Sequence, residues 1–398
     1  MTPVSRIIVV GIGADGMAGL SAESRRELQS ATVIYGSPRQ LDLLDDTVTA
    51  PRHAWPTPML PALERLLDDE PAERIHVVAS GDPLLHGIGG SLIRIHGVER
   101  VRVLPHVSSV TLACARMGWN IQDTEIISLV TAPVHTAVRR GGQAVVLCRD
   151  ATTPAALASA LAETGRGASE FAVLEQLGGL MERIREGPAD AWAAAPPHDV
   201  DDLTIVAVRY LPDERLGHSL PDDALQHDGQ ITKRTVRAVT LAALAPRPGE
   251  LLWDVGAGSG SVAVEWCGAA PGCRAVAFES KPERRDNITA NARAHGADID
   301  VRTDAPNAFE CAPTPNAIFI GGGLTGSGMV QACLDRLGAG GRLVVNAVTA
   351  ESETVLVEWH SRLGGELHRF QHYHGEPLGG FTGWRPQMPI TQWSVTVT

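Results

Sequence analysis

The chain has 398 residues, 44% of them hydrophobic and 20% charged, with 34 basic and 46 acidic side chains and a formal net charge of −12. That length allows two or three domains with ample core, and the acidic balance argues against a nucleic-acid partner. No run of about 18 apolar residues occurs, so no membrane span is expected; the N-terminal apolar run is too short for a signal peptide, and the six scattered cysteines, without a Cys-x-x-Cys pair, read as reduced thiols of a cytoplasmic protein.

Arg6–Val10 reads as a β-branched strand with a turn at Gly11-Ile12-Gly13. Ser21–Ala31 follows as a helix with Ser21 at its N-cap, because a serine hydroxyl can accept an N–H that the first helical turn leaves unpaired. Strands are expected at 33–35, 76–79 and 101–104, and helices at 59–68, 87–95 and 107–117. This alternation is that of a parallel sheet covered on both faces. Gly81-Asp82-Pro83 is a tight turn on its own terms, in which Asp82 can cap the next backbone amides. The pattern then restarts, with strands at 125–129, 144–147, 170–175 and 203–208 and a helix at 153–164 capped by Thr152 or Thr153. Gly187–His198 reads as a loop with room for a short helix.

Leu211–Gln230 is polar, acidic and rich in turn formers, and marks a domain boundary. The reading is a first domain over 1–211, a linker over 212–228 and a second α/β domain over 229–398. In the second, strands are expected at 251–255, 274–278, 299–302, 317–320 and 342–346. Helices are expected at 261–269, 287–295, 329–337 and 352–363, and antiparallel strands near 366–373 and 392–397. His368, His372 and His374 would share one face of a continuous strand. A metal reading of that cluster lacks a fourth ligand apart from Glu376, so a polar edge strand is preferred and no metal is expected.

The stretch Leu251–Gly260 carries the chemistry. Leu251–Val255 is a buried strand profile containing the carboxylate Asp254, and Gly256, Ala257, Gly258, Ser259 and Gly260 follow at once. Glycines there let a ligand approach the backbone, since no Cβ stands in the way. A dinucleotide site wants G-x-G-x-x-G; the tighter G-x-G-x-G suits S-adenosylmethionine, which has no phosphate to seat. Glu279 ends the next strand, where a carboxylate can accept from both ribose hydroxyls. A plain strand–helix turn and a nicotinamide-dependent oxidoreductase are the alternatives.

Three motif sets in the second half resemble the cobalamin-pathway methyltransferases that also decarboxylate. They are Gln230–Arg234; Trp253–Gly260 with Asp304-Ala305-Pro306; and Ile318–Gly323 with Val345–Thr349. Val10–Gly13, Tyr35–Arg39, Ser80–Pro83 with Gly87, His106–Val110 and Leu174–Gly179 resemble the tetrapyrrole (corrin and porphyrin) methylases. The resemblance covers nearly the whole chain. It implies a two-lobed α/β N-terminal domain of the class III methylase kind and a Rossmann-like class I methyltransferase domain, each with an S-adenosylmethionine site. It further implies a precorrin substrate methylated at carbons 5 and 15, loss of carbon dioxide from the ring C acetate, and a homo-oligomer built on the C-terminal half.

Carried over residue by residue, the resemblance places cofactor at Thr232, Asp254, the loop 256–260, Glu279, Asp304, Ala305 and Gly321. In the first half it places cofactor at Gly11, Gly13, Gly81, Asp82, Pro83, Ser108 and Ser109. Lys233, Arg234 and Arg237 are candidates for substrate carboxylates or for a solvated basic face. Where the tetrapyrrole methylases carry a Leu-His-Gly-Arg-like stretch, this chain has Ser128–Pro133, which turns attention to Arg139 and Arg140 as substitutes. No catalytic triad is visible. A sulfonium methyl is already electrophilic, so alignment and water exclusion are the main demands.

Overall fold

The computed structural model describes residues 6–69, 74–213 and 219–398. The chain forms two compact units, one of Met1–Ala137 and Gly141–Pro212, the other of Val138–Arg140 and Asp213–Thr398.

The first unit has two lobes. The first lobe runs β1 (Ile7–Ile12), α1 (Ala22–Gln29), β2 (Ile34–Gly36), α2 (Pro38–Asp42), β3 (Arg52–Ala54), α3 (Leu60–Asp69), β4 (Ile75–Ser80), α4 (Ile88–His96), β5 (Val101–Leu104) and α5 (Ser109–Met117). Its sheet, in the order β3-β2-β4-β1-β5, is parallel throughout. Along β1, Ile8 and Val10 pack into one core and Ile7 and Val9 into another. Both faces are therefore covered, which is why the strand reads as an unbroken apolar run rather than an alternation. Ser21 caps α1 as expected, accepting from Ser24 N at 3.0 Å.

The turn expected at Gly11–Gly13 is displaced. β1 continues through Ile12, with Gly11 opposite Ala79 and Ile12 opposite Ser80. A Cβ on Gly11 would stand 2.1 Å from the Gly81 carbonyl, so this glycine serves close approach between neighbouring chain segments, not a change of direction.

The second lobe contains β6 (Glu125–Ser128), β7 (Gln143–Leu147), α6 (Thr153–Glu163), β8 (Glu170–Glu175), β9 (Arg183–Pro188), α7 (Ala189–Ala194) and β10 (Thr204–Arg209). Its sheet order is β6-β7-β10-β8-β9. Only β6 and β7 pair in parallel; the other pairings are antiparallel. β9 was not anticipated. It is an edge strand whose Arg183 and Arg185 reach Glu175, at 2.7 and 3.1 Å, and a charged edge has no apolar period to read.

The second unit is Rossmann-like. It comprises α8 (Arg234–Leu244), β11 (Leu251–Val255), α9 (Ser261–Ala269), β12 (Arg274–Phe278), α10 (Pro282–His295), β13 (Ile299–Arg302), β14 (Ala317–Ile320), α11 (Met329–Leu334), β15 (Arg342–Ala347) and α12 (Ala350–Leu363). β16 (Glu366–Phe370), β17 (Tyr373–Leu378), β18 (Phe381–Pro386) and β19 (Ile390–Thr396) follow. The sheet order is β13-β12-β11-β14-β15-β19-β16, parallel up to β15 and antiparallel beyond. Trp253, Phe278 and Phe309 cluster on one face of it, with centroids 4.7–5.1 Å apart.

Two expectations change here. The strand expected over 366–373 is broken between β16 and β17, so the three histidines do not line one strand face; among the described residues no group could hold a metal ion. Of the segment read as a linker, 214–218 lies outside the described residues, while the part after it packs onto the second unit. Leu220 and Leu225 are buried with Val264, Ala292 and Ala297. Two apolar anchors five positions apart make no period, so the sequence shows only their polar neighbours.

Candidate functional site

In the first unit a half-open cleft of about 660 Å³, the solvent space at its mouth included, lies between the two lobes. The first lobe contributes Gly13, Ser80, Gly81, Asp82, Ser108 and Ser109. The second contributes a largely apolar wall that includes Leu147, Leu174, Leu177, Leu203 and Ile205. The turn that feeds the cleft is fixed by backbone bonds, Gly81 N to the Ile12 carbonyl at 2.9 Å and His106 N to the Gly81 carbonyl at 3.3 Å. Gly81 holds φ +52, a conformation that favours glycine. Asp82 Oδ1 accepts from Leu84 N at 2.9 Å, so it caps the turn as well as lining the cleft. Ser108 Oγ accepts from Thr111 N at 3.1 Å and caps α5. Gly11 and Pro83 pack beside the cleft rather than line it; Gly87 and Gly89 lie against Pro83. Arg139 and Arg140 do not line it either. Arg139 donates to the Val138 carbonyl at 2.9 Å, and Arg140 Nη2 lies 3.2 Å from His295 Nδ1. The sequence reading carried Arg39 only as the end of the Tyr35–Arg39 motif, with no site role, and passed over the apolar wall. Leucines facing a cleft and leucines facing a core look alike in a sequence.

In the second unit the expected loop sits at the carboxyl end of β11. The strands neighbouring β11 are β12 and β14, so the crossover changes side there, the point where open α/β sheets take ligands. Gly256 N and Ala257 N both donate to the Phe278 carbonyl, at 3.0 and 3.1 Å. Glu279 closes the loop from the side: its Oε2 accepts from Gly258 N at 2.8 Å and its Oε1 from Lys281 N at 3.0 Å. The buried Asn291 holds it from below, with Nδ2 donating to the Ser259 carbonyl at 2.9 Å and to the Gln226 carbonyl at 3.0 Å. Gly321 N bonds the Val255 carbonyl at 3.0 Å, and Gly322 packs so closely that a Cβ on Gly256 would lie 2.6 Å from its carbonyl.

Asp254 is 1% exposed. Its Oδ2 accepts from Ala263 N at 3.2 Å, while Oδ1 has no protein partner. Burial, together with the nearby Glu279, pushes its pKa up to about 7, against the pull of the Ala263 amide. Ser259 Oγ is likewise buried and unpartnered. A Cβ added at Gly258 would meet nothing within 4 Å. An open cradle over the middle glycine and an orphaned buried carboxylate oxygen fit a ligand laid across the loop.

The remaining expected residues divide. Ala305 is half-buried beside the aromatic core, and Asp304 is exposed, bound by Asn307 Nδ2 at 2.7 Å. The Thr232 carbonyl accepts from Arg237 at 2.6 Å. Lys233 is exposed, 3.6 Å from Asp222, and Arg234 is exposed. Arg237 requires correction as a substrate contact. It is fully buried, and its guanidinium is taken up by Glu265 (2.9 Å), Asp222 (2.8 Å), Thr232 and the Leu220 carbonyl. A cation with four of its five N–H groups engaged and no exposed surface pins the segment before α8 and is out of a substrate's reach.

Two unrelated α/β frames in one chain, each with a glycine-lined site, are the arrangement of a methyltransferase. Residues 6–193 match the family model of tetrapyrrole (corrin/porphyrin) methylases, and residues 223–397 match that of the precorrin methyltransferase domain. The chain is 67% identical over 390 residues to the precorrin-6Y C(5,15)-methyltransferase [decarboxylating] of Mycobacterium tuberculosis, covering 98% of this chain and 99% of that one. It is 43% identical over 404 residues to the protein of that name from a Sinorhizobium species, covering 98% and 96%. A solved C-terminal domain of the precorrin-6Y C5,15-methyltransferase from Rhodobacter capsulatus is 46% identical, covering 46% of this chain and all of that one, with a TM-score of 0.43. The chain belongs to the precorrin-6Y C(5,15)-methyltransferases (decarboxylating), enzymes of cobalamin biosynthesis. The oxidoreductase alternative is thereby set aside.

Proposed function

We propose that each unit holds its own S-adenosylmethionine, that the first unit methylates carbon 5 of a precorrin, and that the second methylates carbon 15 and releases carbon dioxide from the ring C acetate. The observation that carries this is the presence of two separately built glycine-lined sites, the cleft at Gly13, Gly81 and Ser108–Ser109 and the loop Gly256–Gly260. One methylation needs only one of them.

When bound, S-adenosylmethionine supplies a sulfonium methyl that a nucleophilic ring carbon can attack directly. In the second unit Glu279 keeps acceptor capacity for a ribose hydroxyl beyond its bonds to Gly258, Lys281 and Ser280. The buried Asp254 Oδ1 awaits a donor, Asp304, Ala305 and Gly321 follow the ends of β13 and β14, and Thr232 precedes α8. Lys233 and Arg234, both exposed at the start of α8, are the residues we assign to substrate carboxylates. In the first unit Gly13, Gly81, Asp82, Ser108 and Ser109 face the donor, and Gly11 and Pro83 shape the turn that presents them. The apolar wall strips water from the reacting carbon. Loss of the acetate carboxylate leaves an electron pair that a protonated ring imine can accept, so the protein need supply no metal and no strong base.

The hairpin β17–β18 forms a sheet of its own and exposes Tyr373, Leu378, Phe381 and Trp384. Tyr373 and Trp384 share one face of this ribbon and Leu378 and Phe381 the other, and exposed apolar side chains on both faces support assembly of the second unit into a homo-oligomer. The six free thiols suit work in the cytoplasm. Calorimetric titration of the full chain with S-adenosylhomocysteine tests the donor assignment: two sites per chain are expected, and a single site overturns it.

A further inference from the structure

Arg39 is the one cationic side chain among the residues that line the first unit's cleft. Its position is set with little freedom. Pro38 occupies the first turn of α2, and Ser37 and Gln40 close a reciprocal capping box around it, with Ser37 N donating to Gln40 Oε1 at 2.8 Å. From the end of β4, Ser80 Oγ accepts from Arg39 Nη2 at 2.6 Å and from Gln40 Nε2 at 2.9 Å. That bond uses one N–H of five.

No carboxylate among the described residues is within ion-pair reach of the rest of the fork. The cleft's own carboxylate, Asp82, is engaged with Leu84 N. Asp201, which acts on Arg39 through space, is held by Gln176 Nε2 at 2.9 Å and Leu203 N at 2.7 Å. Across the cleft stand Leu174, Leu177, Leu203 and Ile205. The arrangement is an apolar wall facing a single pinned cation with free donors. It complements a flat conjugated ring that carries carboxylates on its rim. In a chain of net charge −12, such a ligand needs a local cation.

We propose that Arg39 binds a peripheral carboxylate of the precorrin in the first unit's cleft, with the leucine wall taking the face of the ring. This rests on the reading that the cleft methylates a precorrin. A planar guanidinium fork suits a carboxylate in two-point contact, which an ammonium cannot reproduce. The methionine part of the methyl donor also ends in a carboxylate, so the shared chemistry has two sources, and the assignment here is to the substrate.

The test compares wild-type, Arg39→Ala and Arg39→Lys full-length enzyme with precorrin-6Y and S-adenosylmethionine. In Arg39→Ala, KM for carbon-5 methylation is expected to rise roughly tenfold to a hundredfold with a smaller change in kcat. Arg39→Lys, which keeps the charge and loses the fork, is expected to fall between and serves as the reading if the alanine enzyme does not fold. First-unit affinity for S-adenosylhomocysteine is expected to stay unchanged in both. An unchanged KM in folded variants overturns the proposal. So does a weakened S-adenosylhomocysteine affinity with KM for precorrin intact, which assigns Arg39 to the donor's carboxylate. A wild-type enzyme whose first unit never methylates carbon 5 overturns the functional reading itself, a result distinguishable from both.

Discussion

Glu279 Oε2 accepts the Gly258 N–H at 2.8 Å, so the carboxylate that follows β12 sets the middle of the glycine loop that follows β11. Glu279 is 5% exposed, and its other oxygen is engaged with Lys281 N at 3.0 Å. The same group thus shapes the loop and offers acceptors to a ligand on it. Glu279→Ala is expected to weaken S-adenosylhomocysteine binding at the second unit by about 1.5–3 kcal/mol, the scale of hydrogen bonds to a charged group. The first unit's affinity should not move. Two-site calorimetry on the full chain reads both values at once, and equal affinities in mutant and wild type remove Glu279 from the site.

Asp254 gives the ligand-free protein a pH dependence. Burial raises its folded-state pKa to about 7, well above the ordinary aspartate value of about 4. Below the lower value both states hold the proton and there is no penalty. As pH rises toward 7, the unfolded chain ionises while the folded one does not, so the native state loses stability across that window and levels off above it. The full loss is on the order of 4 kcal/mol. Asp254→Asn cannot ionise. Urea denaturation of the two proteins between pH 5 and 8 should show the asparagine variant gaining on wild type as pH rises. A pH-independent difference contradicts the raised pKa.

The two outer positions of the G-x-G step are glycines for different reasons. A Cβ at Gly256 would lie 2.6 Å from the Gly322 carbonyl, and φ there is +67. Gly258 has φ +58 and open space around its missing Cβ. Gly256→Ala should therefore lower the melting temperature of the second unit sharply. Gly258→Ala should cost about 1–2 kcal/mol of backbone strain and act mainly on ligand affinity. Thermal unfolding with and without S-adenosylhomocysteine separates the two; equal destabilisation by both contradicts the distinction.

Asn291 joins the loop to the segment before α8, through the Ser259 carbonyl on one side and both backbone groups of Gln226 on the other. Asn291→Leu takes the partner from the buried Ser259 carbonyl and from both backbone groups of Gln226 and should destabilise by about 1–3 kcal/mol. Hydrogen exchange should quicken at Gln226, whose amide now donates to Asn291 at 2.7 Å. Unaltered exchange there means the segment is held without Asn291, by Arg237 and the buried Leu220 and Leu225.

What the sequence made legible follows from how each element is built. β11, α9, β12, β13 and β14 fall at the expected residues because buried parallel strands are short apolar runs between clear breaks, and α9 starts directly at the last glycine of the loop. Asp254, Glu279 and the glycines could be found because a ligand loop constrains residue type at fixed spacing. β9 was missed because its signal is charge pairing with Glu175 across the sheet, and α2 because five residues make no period. Arg237 was misjudged for a similar reason. On a helix start it looks like a surface cation, and only the fold brings Glu265 and Asp222 to it. Arg39 was given no site role because nothing in its neighbourhood says that Leu174 and Leu203 will stand across a cleft from it.

The division of labour between the units is tested most directly by the product of Gly258→Val enzyme given precorrin-6Y and S-adenosylmethionine. The branched side chain fills the open space over the loop, so the second unit should lose its donor while the first keeps its own. Mass spectrometry should find a product with at most one added methyl group and the ring C acetate intact, where the wild-type product carries two and has lost carbon dioxide. A Gly258→Val product that has still shed carbon dioxide contradicts the assignment of decarboxylation to the second unit.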